Sequence, residues 1–191
     1  MLFVFDRDIL DHLPVRSDRR VEFIWESLRC LQSSEADGGW LITVHAGAGF
    51  AVPAIAKALN AEAVFFNHDD EPYAIKRDRQ IAEALGAIHI KCYDFKDHVV
   101  FERDEVLTQA GKPYSVFTPY KQAWLKRLAA DPTVLNEEKV DLSRLCAPDL
   151  AQKQAIENRS QSDGFRIWFG PPPSLEAIGF ECTDLKMLPV P

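Results

Sequence analysis

Leu2 to Phe5 is an unbroken apolar, β-prone run closed by Asp6-Arg7-Asp8, the pattern of a strand buried on both faces in a parallel sheet. After Pro14, Ser17 or Asp18 can cap a helix whose apolar residues Val21, Ile24, Leu28 and Leu31 recur at three and four positions, and Gly38-Gly39 ends it. Trp40 to Val44 predicts a second buried strand. The turn His45-Ala46-Gly47-Ala48-Gly49 follows, then a helix whose first turn can accommodate Pro53. Ala63 to Phe66 reads as a third strand and Asn67-His68-Asp69-Asp70-Glu71 as its loop. Pro72 opens a helix through Ile81 and Leu85, Gly86 closes it, and Ile88 to Cys92 is expected as the fourth strand. Strand alternating with helix predicts a doubly wound α/β layer with a parallel sheet.

The later part is less regular. Val99-Val100-Phe101 and Val106-Leu107 suit a long surface excursion, and Thr118-Pro119 starts a helix carrying Ala123, Trp124, Leu125 and Leu128. Beyond it, Ala147-Pro148, Ser160-Gln161-Ser162 and Gly170-Pro171-Pro172-Pro173 read as linker material. We therefore expect an α/β domain over 1–130 and an irregular linker or tail over 131–191. Its last apolar turn, Ser174 to Phe180, needs a surface to sit on.

Composition narrows the function classes. Of 191 residues, 47% are hydrophobic and 27% charged, enough for one folded domain. The net charge of −7 argues against gripping duplex DNA through the overall field. Cys30, Cys92, Cys146 and Cys182 form no CxxC pair and no metal-ligand spacing, so reduced thiols, a cytoplasmic setting and no metal are expected. No apolar run reaches the roughly 18 to 20 residues of a membrane span.

Doubly wound sheets bind ligands at the carboxyl ends of their strands, which selects Asp6 to Asp8, His45 to Phe50 and Asn67 to Glu71. Gly47 and Gly49 could let amides approach a phosphate or could form a plain tight turn, since no third glycine and no P-loop lysine follow. Asp69, Asp70 and Glu71 could orient a ligand or cap the helix opened by Pro72. His45 and His68 could act as acid or base, or be solvated or capping residues. Cys92 lacks the cationic surroundings of a thiolate, no GxSxG elbow occurs, and Trp25 and Trp124 read as core or interface aromatics. Pattern alone names no reaction and no catalytic residue.

Three stretches resemble a known family. Phe3 to Leu10 with Asp18 to Ile24, Asn67-His68-Asp69-Asp70-Glu71-Pro72-Tyr73 with Arg77-Asp78, and Tyr114 to Tyr120 with Trp124 to Leu128 are similar, in order and spacing, to the amino-terminal α/β domain of the DNA photolyase and cryptochrome family. Ser174 to Phe180 extends the resemblance. It implies a Rossmann-like layer and an antenna chromophore that passes light energy to FAD in a helical domain. There the excited reduced flavin splits a pyrimidine dimer.

The resemblance also sets expectations for what this chain does alone. The helical FAD domain, the tryptophan electron chain and the DNA groove are expected elsewhere, so the chain alone should be an inactive piece of a carbon-carbon lyase, meeting DNA only through that domain. A WFRRDLR-like strand usual in the family does not precede Met1, which suggests an open sheet edge and a homodimer formed through it. The antenna pocket carries over to Phe3, Asp6, Leu10, Arg20, Asp69 and Glu71, favouring deazaflavin or flavin mononucleotide. Tyr73-Ala74 stand where folate-binding members carry an Asn-Glu pair, so methenyltetrahydrofolate is less favoured. The alternative is a cryptochrome-like binding or signalling module without repair activity.

Overall fold

The computed structural model describes residues 1–33, 41–136 and 145–184. Strand β1 (Leu2–Asp6) pairs in parallel with β2 (Ile42–Ala46), Leu2 opposite Ile42 and Asp6 opposite Ala46. Strand β3 (Ala63–Asn67) and β4 (Lys91–Phe95) form a second parallel pair. Strand β5 (Arg166–Phe169) lies antiparallel on the far edge of β2, with His45 opposite Arg166. Helices α1 (Arg7–Leu10), α2 (Arg19–Ser33), α3 (Ala48–Ala58), α4 (Pro72–Ala87), α5 (Phe117–Ala130) and α6 (Leu150–Asp163) intervene.

β2 is buried along its whole length, because both faces of its sheet are covered. On one face Val21 and Leu28 of α2 pack with Phe5, Leu41, Leu175 and Phe180. On the other, Ala51 and Ile55 of α3 and Ile156 of α6 pack with Ile42 and Val44. Helices on both faces make the layer doubly wound, as the alternating pattern predicted. The β3–β4 pair is covered on one face by Ile81 and Leu85 of α4 with Ile90. Its other face carries an exposed aromatic stack, Phe65 against Tyr93 at 5.1 Å and Phe65 against Phe95 at 6.3 Å.

A cleft separates the two sheets. It is about 390 Å³ in volume, with Leu2, Val4 and Asp6 of β1 on one wall and Val64 to Asn67 of β3 on the other. The Ile42 N–H bonds the Met1 carbonyl at 2.9 Å, so the parallel ladder turns Phe3 and Phe5 toward β2 and leaves the main-chain groups of Leu2 and Val4 facing the cleft. On β4, the Lys91 N–H bonds the Glu62 carbonyl at 3.1 Å, which turns Ala63 and Phe65 toward the cleft in the same way.

Several element limits differ from the sequence expectation. The run Ile88 to Ile90 ends α4 instead of starting a strand. His89 takes a positive φ of 60°, the Ile90 N–H returns to the Leu85 carbonyl at 3.0 Å, and buried Ile90 packs on the helix end, so β4 starts at Lys91. α3 starts at Ala48, because the Asp6 carboxylate takes the Ala48 N–H at 3.2 Å, and this puts Pro53 inside the helix. Ile24 and Leu31 of α2 are exposed although they share the apolar period with Val21 and Leu28. The end of that helix at Gly38-Gly39 and the strand start at Trp40 fall outside the described residues.

The irregular tail expected after residue 130 contains regular structure. Asp149 Oδ1 accepts the Gln152 N–H at 2.8 Å while Gln152 Oε1 accepts the Asp149 N–H at 3.0 Å, and this reciprocal cap opens α6. Gly164, at φ 73°, closes it. α6 and β5 then join the main layer, and Leu175, Ile178 and Phe180 supply the buried apolar turn that the sequence required.

Candidate functional site

Asp6 stands where β1 ends, and it is buried. Its Oδ1 accepts the N–H groups of Asp8 at 3.1 Å and Ala48 at 3.2 Å, so one carboxylate caps two helix starts. Its Oδ2 accepts the Tyr73 hydroxyl at 2.8 Å. Burial, then the Asp6 hydrogen bond and charge, push the Tyr73 phenol well above its usual range, so it stays a donor. The carboxyl end of β1 is thereby tied to α4, which follows β3.

Beside Asp6, Phe3 and Leu10 line an apolar cavity of about 150 Å³ with Ile9, Val21 and Ile24. The Phe3 ring meets Phe5 edge-on at 5.0 Å. Arg20 directly precedes Val21, and its guanidinium is turned onto Asp18, Nε to Oδ1 at 3.0 Å and Nη2 to Oδ2 at 2.5 Å. Those hydrogen bonds hold the Asp18 carboxyl down to about 2. Asp69 lies on the loop after β3, accepts the Glu71 N–H at 3.1 Å, and lines a separate cavity of about 240 Å³ with His68, Asp78 and Arg103. Glu71 is the exposed N-cap residue of α4 and makes no side-chain cap bond. The structure therefore brings Phe3, Asp6 and Leu10 into one cavity and leaves Arg20, Asp69 and Glu71 outside its lining.

His68 is held, not solvated. Its Nδ1 lies 2.9 Å from Asp94 Oδ2 and its Nε2 2.7 Å from Glu102 Oε2. The Glu102 hydrogen bond, with further help from Asp94, raises its pKa above the usual histidine value. No sequence signal could have found Glu102, a loop residue that only the fold brings to the tip of β3. Tyr73 was present in the quoted motif, yet its partnership with Asp6 required the fold.

His45 is buried on β2 with Nε2 lacking a hydrogen-bond partner, against the solvated or capping reading. Burial first, then the charges of Arg166 and Arg7, lower its pKa. The Gly47 to Gly49 turn is a capped helix start. Gly47 has φ −67°, Asp6 already occupies the Ala48 N–H, and a Cβ at Gly47 would lie 3.5 Å from Asp8 Oδ2, so carboxylates fill the place a phosphate would need. Burial pushes the Cys92 thiol up, the wrong direction for a nucleophile. Trp25 Nε1 donates to the Pro173 carbonyl at 2.6 Å, and Trp124 meets Phe101 edge-on at 5.4 Å, as packing aromatics do. Among the described residues no helix is long and apolar enough to cross a membrane, and no group of three or more His, Cys, Asp or Glu could hold a metal.

A doubly wound layer of parallel strand pairs, with cavities beside β1 and at the carboxyl end of β3, defines the class as a doubly wound α/β domain. Comparison with known proteins narrows it. Residues 1–139 match the DNA photolyase family, and the chain belongs to that family. It is 33% identical over 143 residues to a deoxyribodipyrimidine photo-lyase of Synechococcus, covering 74% of this chain and 29% of that protein. It is 31% identical over 180 residues to the deoxyribodipyrimidine photo-lyase of Halobacterium salinarum, covering 94% of this chain and 33% of that one. A bacterial class III photolyase from Agrobacterium tumefaciens shares the fold, with a TM-score of 0.52 at 16% identity over 81% of this chain and 32% of that one. The chain thus spans about a third of the length of the curated photolyases just named.

Proposed function

We propose that residues 1–191 are the cytoplasmic antenna-binding layer of a light-driven DNA repair lyase, taking deazaflavin or flavin mononucleotide in preference to methenyltetrahydrofolate. The observation that carries this reading is the apolar cavity lined by Phe3, Asp6 and Leu10 on the flank of β1. At about 150 Å³ it would seat one end of the ring, not the whole group: its apolar walls suit a planar ring, and buried Asp6 supplies a fixed negative pole at the edge. Arg20, Asp69 and Glu71 lie outside its lining and would meet the chromophore only where it extends beyond the cavity. The bound chromophore supplies light absorption and energy transfer. The protein's own residues hold and orient it, and exclude water from the ring. Electron transfer to a pyrimidine dimer belongs to FAD in a helical domain, and DNA is met only through that domain.

The test is equilibrium titration of the purified chain with each of the three chromophores, read by absorbance and fluorescence. Saturable binding of deazaflavin or flavin mononucleotide, weakened about tenfold or more by Phe3→Ala through lost ring contact, is expected. Failure of all three to bind overturns the proposal.

The second reading, a cryptochrome-like binding module, is favoured by the exposed Phe65, Tyr93 and Phe95 stack, a surface suited to docking. A second copy is the partner we assign to the cleft between β1 and β3, where main-chain groups of both strands stand ready to pair. Val4→Pro removes an N–H that faces this cleft and no β2 ladder bond, so it should abolish dimers in sedimentation while leaving the monomer folded. A parent chain that sediments as a monomer at every concentration refutes the assignment.

A further inference from the structure

The largest of the described polar cavities, about 420 Å³, opens on the other side of α1 from the apolar one, and it has no part in the antenna reading. Three guanidiniums surround it: Arg7 from α1, Arg16 from the loop before α2, and Arg166 from β5. Arg7 is paired with Asp11, through Nε at 3.0 Å and Nη2 at 2.9 Å. Arg16 Nη1 donates to the Leu10 carbonyl at 3.2 Å, and its guanidinium lies 5.4 Å from the centre of the Phe180 ring. Arg166 Nη1 donates to the Ala177 carbonyl at 2.6 Å. Among the described residues neither Arg16 nor Arg166 has a carboxylate partner within ion-pair distance, so both keep donors for another anion.

His45 forms the inner wall. It is more than nine-tenths buried, lies opposite Arg166 in the β2–β5 ladder, and has a buried Nε2 that makes no hydrogen bond among the described residues. A buried polar atom without a partner costs free energy unless a ligand or water completes it. The charged groups facing it are Arg7 and Asp11 from α1 and the following turn, Arg16, Arg166 from β5, and Glu176 across the cavity mouth. Three cations against two carboxylates leave the site positive. One of those carboxylates, Glu176, has its pKa lowered by its own backbone N–H and the Ser174 hydroxyl, so it is already satisfied locally. Gly164 and Gly179 border the cavity, and a Cβ added at either would meet nothing within 4 Å, so the mouth is open there.

We propose that this cavity is an anion site for the phosphate group of a small molecule, with Arg16 and Arg166 supplying planar donor pairs and His45 forming the inner wall against which the anion sits. Guanidinium geometry suits a tetrahedral oxyanion, and charge-assisted bonds of this kind are the strong ones. Because burial and the neighbouring arginines disfavour protonated His45, a bound anion that offsets them must raise the histidine pKa.

The test uses the full chain with inorganic phosphate, and with sulfate as an anion whose charge is constant over the range. Calorimetry should show saturable phosphate binding on the order of 1 mM or tighter. Arg16→Gln and Arg166→Gln, both at exposed positions, should each weaken it about tenfold or more. Arg79→Gln on α4, whose partner is Glu83, should not. By NMR, saturating sulfate should move the His45 pKa upward by about half a unit or more in the parent chain and leave it unmoved in Arg166→Gln. Absence of saturable binding, equal binding by the arginine variants, or an unmoved His45 pKa overturns the proposal. A short DNA duplex that binds more tightly than phosphate with the same arginine dependence also overturns it, in favour of a nucleic-acid surface.

Discussion

Removing the Asp6 carboxylate should be among the most damaging single changes in this chain. In Asp6→Ala the N–H groups of Asp8 and Ala48 and the hydroxyl of Tyr73 lose their acceptor together. A lost N-cap bond costs about 1 kcal/mol, and a hydrogen bond to a charged acceptor about 1.5 to 3 kcal/mol, so a loss of about 3 to 5 kcal/mol is expected. That is a large share of the roughly 5 to 15 kcal/mol typical of a domain. Asp6→Asn keeps an oxygen for the two amides and should cost about 1 kcal/mol. Tyr73→Phe should cost about 1 to 2 kcal/mol in the parent and little in Asp6→Ala, a coupling of about 1 to 2 kcal/mol. Urea unfolding followed by far-ultraviolet circular dichroism measures the parent and the four variants, the Asp6→Ala/Tyr73→Phe double variant included, with an unchanged m-value as the control for two-state behaviour. An Asp6→Ala chain within about 1 kcal/mol of the parent, or an Asp6→Asn chain as damaged as Asp6→Ala, would refute this role for the carboxylate.

Three further outcomes follow from the contacts. His68 has a raised pKa, so the stability it contributes is complete below its ordinary value of 6.5 and is lost as pH rises through the folded value. NMR titration should place its pKa above 6.5, and His68→Gln should abolish a loosening of the Glu102 to Glu105 segment seen by hydrogen exchange at higher pH. Asp18 is held at about 2, so its contribution is present above 3.8 and disappears as pH falls through about 2. Arg20→Gln should move the Asp18 pKa back toward 3.8, and a carboxyl that stays near 2 in that variant would show that backbone donors, not Arg20, hold it. Ile156→Ala, at a position with no exposure, should cost about 2 to 5 kcal/mol in the same urea assay. A near-neutral result would return α6 to the status of a linker.

The parallel layer was legible because β1, β2 and β3 announce themselves as short apolar runs and α4 by its opening proline. α6 was not, because its face toward the core is narrow. Ile156 is its one fully buried large apolar side chain, and the rest of Leu150–Asp163 is mostly polar and looks like linker. Its reciprocal cap of Asp149 and Gln152 was readable in principle. β4 was displaced because an apolar residue can end a helix as readily as begin a strand, and only the positive φ at His89 tells the two apart. At the site, the sequence could nominate Asp6 and His68 from their positions after strands. It could not supply Tyr73 beside Asp6, Glu102 beside His68 or Arg166 beside His45, since those pairings depend on how distant segments lie together. The buried, unpartnered state of His45 was likewise invisible before β5 closed over it.

The five residues Asp6 to Leu10 explain why several distinct surfaces meet at one short helix. With successive residues turned by about 100°, a single turn sends its side chains in different directions. Arg7 reaches the cationic cavity, Asp8 lies 3.4 Å from the Tyr73 hydroxyl, Ile9 borders both the cleft and the apolar cavity, and Leu10 lines the apolar cavity alone. Asp6 caps that turn. A change that unwinds α1 must therefore disturb the cationic cavity and the apolar cavity together, although they share no lining residue. A ligand that stiffens α1 from one side lowers the ordering cost of binding on the other. Phosphate should then tighten flavin mononucleotide binding, and linkage requires the reverse effect to be of equal size. Two affinities that prove fully independent would mean that α1 is already rigid in the free chain.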